Sequence, residues 1–266
     1  DFRRAYDNAT TKAHRRYNDF RRKCGLGPLP DGIFLESSQD LNLLLAPSAV
    51  RFDRAEPLPE DRFVYLEGCV RTESPFEMPY FPESGGSVIY TSFGSLGALD
   101  TALIQRLIDA FADFPARFIV NVGSYLDSYE RVPDNVHLGD WFPQPSVVAQ
   151  VDLFIHHGGN NSFCEALYHG VPSLVMPYCW DGHDNAQRAA QTGLGYRVDR
   201  SDWTQDALHR AIRGALDDSG MRDRLAGISA AMKRQPGTHV AADAVMEVIH
   251  RQQAPRRDAE PSYGTG

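Results

Sequence analysis

A chain of 266 residues with a formal net charge of -8 is large enough to bury a real core and too acidic for a nucleic-acid groove or an electrostatic membrane anchor. No apolar run approaches the ~20 residues that span a bilayer, and the four cysteines, Cys24, Cys69, Cys164 and Cys179, show no C-x-x-C spacing. They read as reduced thiols of a cytoplasmic protein, with neither a disulfide framework nor a metal site implied, and small-molecule chemistry is the expected trade.

Residues 2 to 23 are charged and helix-compatible, and the Gly-Leu-Gly-Pro breaker that follows ends them. His14, inside this charged run, is expected to be solvated. Short apolar segments follow at 41 to 46 and 62 to 70, and the Pro-rich stretch 71 to 86 reads as a linker or long loop. These features divide the chain into a leading part at 1 to 75, a main domain at 76 to 252 and a flexible tail at 253 to 266.

From Ser87 the pattern alternates. A strand at 87 to 93 leads to a helix at 101 to 111 with Asp100 as its N-cap, then come strands at 117 to 122 and 135 to 139. A short helix at 145 to 150, a strand at 151 to 156 and a helix at 161 to 169 follow, then a strand at 173 to 177, a helix at 184 to 192 and a short strand at 195 to 198. Helices near 204 to 217, 219 to 233 and 238 to 252 close the chain. Such alternation predicts an α/β fold, a doubly wound parallel sheet that binds ligands at the carboxyl ends of its strands.

The strand at 151 to 156 runs into His156, His157, Gly158, Gly159, Asn161 and Ser162. Glycines let backbone N–H groups approach an anion, and a helix N-terminus adds free donors and a positive dipole end, so this turn reads as a diphosphate site. A structural reading stands beside it: Ser162 and Glu165 fit a Ser-x-x-Glu capping box, and both histidines fit strand-end residues bonded to backbone carbonyls. A second glycine turn at 91 to 97 offers Gly94 and Ser95 to the same edge. Trp141 has an indole face for a base, Gln144 a side chain for a ribose, and Asp181 a carboxylate for sugar hydroxyls, with Asp184 the better helix cap.

Trp141, Pro143, Gln144, His157, Gly159, Asn161, Ser162, Glu165, Gly170-Val171-Pro172, Pro177, Asp181, Asn185 and Ala186 occur in that order. They follow the donor signature W-x-P-Q, H-x-G-x-N-S-x-x-E, G-V-P, P and D-Q-x-x-N-A. From about residue 60 to 252 the chain thus resembles the nucleotide-sugar-dependent glycosyltransferases of the GT-B fold, which include plant secondary-product and bacterial antibiotic enzymes. Residues 1 to 70 are similar in pattern to the end of that family's acceptor domain.

The resemblance implies a Rossmann-like donor domain with assigned roles. Trp141 stacks on uracil or thymine, Phe142 meets the base through its backbone, and Gln144 and Glu165 hold the ribose. Ser95, His157, Gly159, Asn161 and Ser162 hold the diphosphate, and Asp181 and Gly182 lie at the donor sugar. It also implies an inverting transfer from a UDP- or dTDP-sugar to a hydroxyl of a small-molecule acceptor, without cofactor or metal.

Two departures stand out. The family's Gln after the Asp is Gly182 here, which leaves a deoxysugar or an unusual hexose as open as glucose, with His183 or Trp180 reshaping the pocket. The family's general base, a histidine paired with an aspartate, has no counterpart in residues 1 to 60. No catalytic residue is therefore expected in this chain, which begins at Asp1 and is expected to be inactive without the acceptor half. That half is an expected partner, and in its absence an apolar face of the helix near 238 to 252 is expected to be exposed. The alternative is a non-catalytic nucleotide-sugar-binding module, or half of a split transferase that needs a partner chain.

Overall fold

The structure, a computed structural model, describes residues 2–82 and 85–253. Residues 254–266 of the expected flexible tail lie outside the described residues. The chain divides into two compact units, Asp1–Asn42 with Leu58–Phe63 and Leu43–Pro57 with Val64–Gly266. The boundary expected after residue 75 therefore falls earlier, and contacts within the larger unit show why. Val50 packs with Phe163, Leu167 and Leu194, its carbonyl accepts from Arg188 Nε at 3.1 Å, and the Leu45 carbonyl accepts from Asn160 Nδ2 at 2.6 Å.

In the smaller unit, helix α1 (Phe2–Lys23) carries an irregular segment along one side. Asn18 exchanges two hydrogen bonds with the backbone of Leu29, and Arg21 donates to the Gly27 carbonyl and to Glu36. His14 is buried, not solvated: its Nε2 lies 3.0 Å from the Ile33 carbonyl, and the Phe34 ring meets it edge-on at 5.2 Å. A carbonyl only accepts, so Nε2 carries the proton. The residues that cover His14 have no regular periodicity, so its burial left no pattern in the sequence.

Strands β1 (Asn42–Leu44) and β2 (Phe63–Tyr65) form a two-stranded sheet. The main sheet has six parallel strands, β3 (Val88–Ser92), β4 (Arg117–Asn121), β5 (Val136–Gly139), β6 (Leu153–His156), β7 (Ser173–Val175) and β8 (Gly195–Arg197). Their order is β5-β4-β3-β6-β7-β8. The chain winds one way from β3 and the other way from β6, so the switch point lies between these two strands, where their carboxyl ends open a crevice. Ile89 pairs with Leu153 and Ser92 with His156. The turns that follow β3 and β6 therefore emerge side by side.

Both sheet faces are covered, which is why the strands read as nearly continuous apolar runs. On one face Ile89, Val120, Ile155 and Leu174 meet helix α3 (Thr101–Phe111) and helix α7 (Gln205–Asp217). Helix α3 buries Leu103, Ile104, Leu107, Ile108 and Phe111, a three- and four-residue spacing. Asp100 accepts from the Leu103 amide at 3.1 Å, as expected of its N-cap. On the other face Tyr90, Ile119 and Phe154 pack with Phe142, Val147 and Ala166. Here lie the short helix α4 (Gln144–Val148) at the strand ends, then α5 (Asn160–His169), α6 (Asp181–Gln191) and α8 (Ser219–Arg234), while the short helix α2 (Gly94–Gly97) follows β3 at its carboxyl end.

The stretch read as a linker or long loop has neither helix nor strand among its described residues, yet it does not stand free. Phe81 is buried, Phe76 and Met78 pack against the same core, and Phe76 meets Phe142 edge-on at 5.9 Å. Its apolar side chains are removed from water at roughly 25 cal/mol per Å² of burial, which holds an irregular segment on the domain. The last helix, α9 (Gly237–Gln253), exposes Val245, Met246 and Ile249, the apolar face expected there. No helix among the described residues is long and apolar enough to cross a membrane.

Candidate functional site

The crevice is built on His156, the last residue of β6, which is fully buried. Its Nδ1 accepts the Gly158 N–H at 3.0 Å, so the ring proton sits on Nε2, which donates to Ser173 Oγ at 3.0 Å. Burial, with the neighbouring His157, pushes its imidazole down to about 3. His156 is thus a neutral strut that shapes the turn, bonded to a side chain and an amide where carbonyl partners were the expectation.

His157 occupies the switch point itself. A Cβ on Gly159 would stand 2.5 Å from His157 Nε2, and one on Gly94 would stand 3.1 Å from Cε1. The imidazole lies between two bare backbone turns, one after each central strand. Burial holds it below its ordinary value against the opposing pull of Asp181, and the Arg200 charge adds to the lowering. A neutral imidazole at this place can donate one ring proton to an anion. Ser95, on α2, is exposed at the same edge.

Gly158 has φ +84°, and its carbonyl accepts from Asn185 Nδ2 at 2.7 Å. The Asn of the D-x-x-x-N-A pattern therefore clamps the turn, a role the sequence did not show. Gly182 packs on the same turn: a Cβ there would lie 2.5 Å from the His157 carbonyl oxygen. The missing side chain at 182 is more than a lost sugar contact, because backbone fills the space where a side chain would begin.

Helix α5 starts at Asn160, with Gly159 as its cap residue. Its first amide donates to Asp181 Oδ2 at 2.8 Å, so the expected sugar-binding carboxylate also caps this helix. The capping box does not form. Ser162 is already inside the helix, and its Oγ lies 3.1 Å from Gln144 Nε2, which also donates to Glu165 Oε2 at 2.6 Å. Asp184 is not a cap either: α6 begins at Asp181, immediately after Trp180. Trp180, at φ 48°, is the one non-glycine with positive φ among the described residues, and that bend brings the helix start forward. Gly170, at φ 73°, ends α5 in the left-handed conformation, which explains the glycine of Gly-Val-Pro.

At the other end of the crevice Trp141 is 63% exposed while the Phe142 ring is buried, edge-on to Tyr90 at 6.0 Å. A Cβ on Gly139 would fall 2.3 Å from Phe142 Cζ, so only glycine admits the ring. Phe142 thereby anchors the segment that presents Trp141. Gln144 opens α4 and ties it to Glu165 on α5. Glu165 Oε1 accepts from Arg71 Nη1 at 2.8 Å, a residue 94 positions earlier in the chain. The structure thus brings together Gln144, Glu165 and Ser162 as one cluster and Ser95, His157, Gly159 and Asp181 around the switch point, with Asn161 and Gly182 on the adjoining helix starts. Trp141 and Phe142 stand beyond Gln144.

The strand order, the switch point and the glycine-lined crevice define a class, a doubly wound nucleotide-binding domain of the kind found in GT-B glycosyltransferases. Residues 105–248 match the family described as "Erythromycin biosynthesis protein CIII-like, C-terminal domain", and the chain belongs to that family. It is 26% identical over 255 residues to oleandomycin glycosyltransferase of Streptomyces antibioticus, covering 94% of this chain and 58% of that relative. It is 29% identical over 171 residues to NDP-glycosyltransferase YjiC of Bacillus licheniformis, covering 64% and 43%. The crystal structure of the glycotransferase of kitacinnamycin superposes with a TM-score of 0.75 at 25% identity, covering 90% of this chain and 62% of that chain. The chain spans about half the length of the curated relatives it matches.

Proposed function

We propose that this chain supplies the donor site of a glycosyltransferase that moves a sugar from a UDP- or dTDP-sugar to a hydroxyl of a small-molecule acceptor. The observation that carries the reading is the order of groups along one crevice. An exposed indole at Trp141 comes first, then the Gln144–Glu165 pair, the His157 imidazole with the α5 N-terminus, and Asp181. That sequence suits base, ribose, diphosphate and sugar.

In the reaction, a base deprotonates the acceptor hydroxyl, whose oxygen attacks the anomeric carbon on the face opposite the leaving diphosphate and inverts it. No residue of this chain is assigned as that base, and we place it in the acceptor half. The bond from the anomeric carbon to the phosphate oxygen breaks, and its electron pair goes to the diphosphate. The His157 ring proton and the α5 amides meet that growing charge, so they stabilise the transition state more than the ground state, and no metal is called for. With no room for a side chain at 182, sugar recognition falls to Asp181 and to the exposed rings of Tyr178 and Trp180. That wall suits a deoxysugar. Four free thiols and an acidic chain fit work in the cytoplasm.

The test is calorimetric titration of this chain with UDP and dTDP, without added metal. Micromolar binding is expected, weakened about tenfold or more by Trp141→Ala and clearly by His157→Ala. A folded chain that binds neither nucleotide would refute the reading.

A further inference from the structure

We propose that Arg71 is a positioning residue of the donor site: its guanidinium holds the Glu165 carboxylate turned toward Gln144 and the crevice, ready to accept the ribose hydroxyls of a nucleoside diphosphate. This rests on the donor reading above and adds a residue outside every motif of the crevice.

The Glu165 side chain is only 3% exposed, and a buried carboxylate must be paired or it takes a proton. Two donors hold it, one on each oxygen: Arg71 Nη1 at 2.8 Å and Gln144 Nε2 at 2.6 Å. Each carboxylate oxygen keeps a second acceptor direction. Arg71 is itself held in place, since its Nε donates to Glu73 Oε1 at 2.5 Å. Arg71 and Glu165 border a pocket of about 140 Å³ together with Asn160, Asn161 and Cys164. The pair therefore faces open space at the first turns of α5, beside the region assigned to ribose and diphosphate.

The titratable groups around Glu165 are Arg71 and Glu73, Cys164 beside it on α5, the Tyr90 phenol on β3, and Glu67 and Cys69 across the shared pocket. Burial raises the Glu165 carboxyl above its ordinary value, while the Gln144 hydrogen bond and the Arg71 guanidinium pull it back. Without Arg71, desolvation and the Glu73 charge act against Gln144 alone, and Glu165 takes up its proton at a higher pH. A protonated carboxyl offers fewer acceptor sites to ribose.

The experiment titrates the full chain and its Arg71→Gln and Arg71→Lys variants with UDP and dTDP, from about pH 6 to about pH 9, each variant first shown to be folded by circular dichroism. Near neutral pH, Arg71→Gln is expected to weaken binding on the order of tenfold, as loss of a charge-assisted contact does. The deficit should shrink to about threefold or less at the alkaline end, where Glu165 ionises unaided. Arg71→Lys keeps the charge without the planar fork and should fall between the two. In a Glu165→Gln background, Arg71→Gln should add nothing, because the effect runs through Glu165. An equal loss in both backgrounds, or a loss independent of pH, overturns the inference, as does wild-type binding that Arg71→Gln leaves unchanged. If the wild-type chain binds neither nucleotide, the donor reading fails and this inference fails with it.

Discussion

Replacement of His156 by Asn tests how the turn is held. The Asn Oδ1 can take the place of Nδ1 and accept the Gly158 amide, while the contact to Ser173 is lost and nothing titrates. At pH 7 the variant should be less stable by about 1 to 2 kcal/mol, the loss of one buried hydrogen bond and some packing. The pH dependence carries the sharper prediction. In the folded chain burial holds His156 down to about 3, from an ordinary value of 6.5. The folded state thus excludes a proton that the unfolded chain binds below pH 6.5. The full contribution is present above 6.5 and is lost as pH falls toward 3, at about 1.4 kcal/mol per pH unit. Between pH 7 and pH 4 this single group should remove about 3 kcal/mol from the wild type and nothing from the variant. Burial also lowers His137, His157 and His169, but both proteins carry these, so they cancel in the difference. Urea unfolding at four pH values from 4 to 7 would show the gap between the two proteins closing and then reversing. Parallel stability curves would refute a neutral, buried His156.

Two further changes probe the same turn. Gly182→Gln restores the residue common in the family, yet its Cβ would meet the His157 carbonyl at 2.5 Å; denaturant melts should show a loss of about 1 to 3 kcal/mol from overpacking, and the shifted turn should bind UDP or dTDP less well. A variant as stable as the wild type would mean that α6 can move aside at little cost. Asn185→Ala removes the donor to the Gly158 carbonyl and should lower stability by about 1 kcal/mol; nucleotide affinity should fall more than affinity for the nucleoside alone, and equal losses for both would show that the clamp does not act on the diphosphate end.

Much of the fold could be read before the structure. The strands on both sides of the switch point, the helices between them and the Asp100 cap follow from apolar periodicity and turn chemistry, which act over a few residues and survive in linear order. The crevice residues were legible for the same reason: Trp141 through Ala186 form one compact run of fixed spacings. The capping box failed because a local pattern cannot tell where a helix starts when a distant carboxylate, Asp181, caps the first amide. His14 was misread because a charged helix looks solvated until the irregular chain that covers it is in place.

Tertiary structure alone decided the rest. The sequence determines that strands and helices alternate, that glycines and small polar residues gather at strand ends, and that the run from Trp141 to Ala186 keeps the family's spacing with one departure, at Gly182. It does not show that β3 lies beside β6, that Phe142 needs a bare Gly139, that Gly182 faces backbone, or that Arg71 reaches Glu165 across 94 residues. The physical reason is common to all four. Local propensities are written in neighbouring residues, whereas these contacts exist only when distant segments pack, and whether a side chain, a bare Cα or an ion pair fits is settled by the space and the desolvation found there.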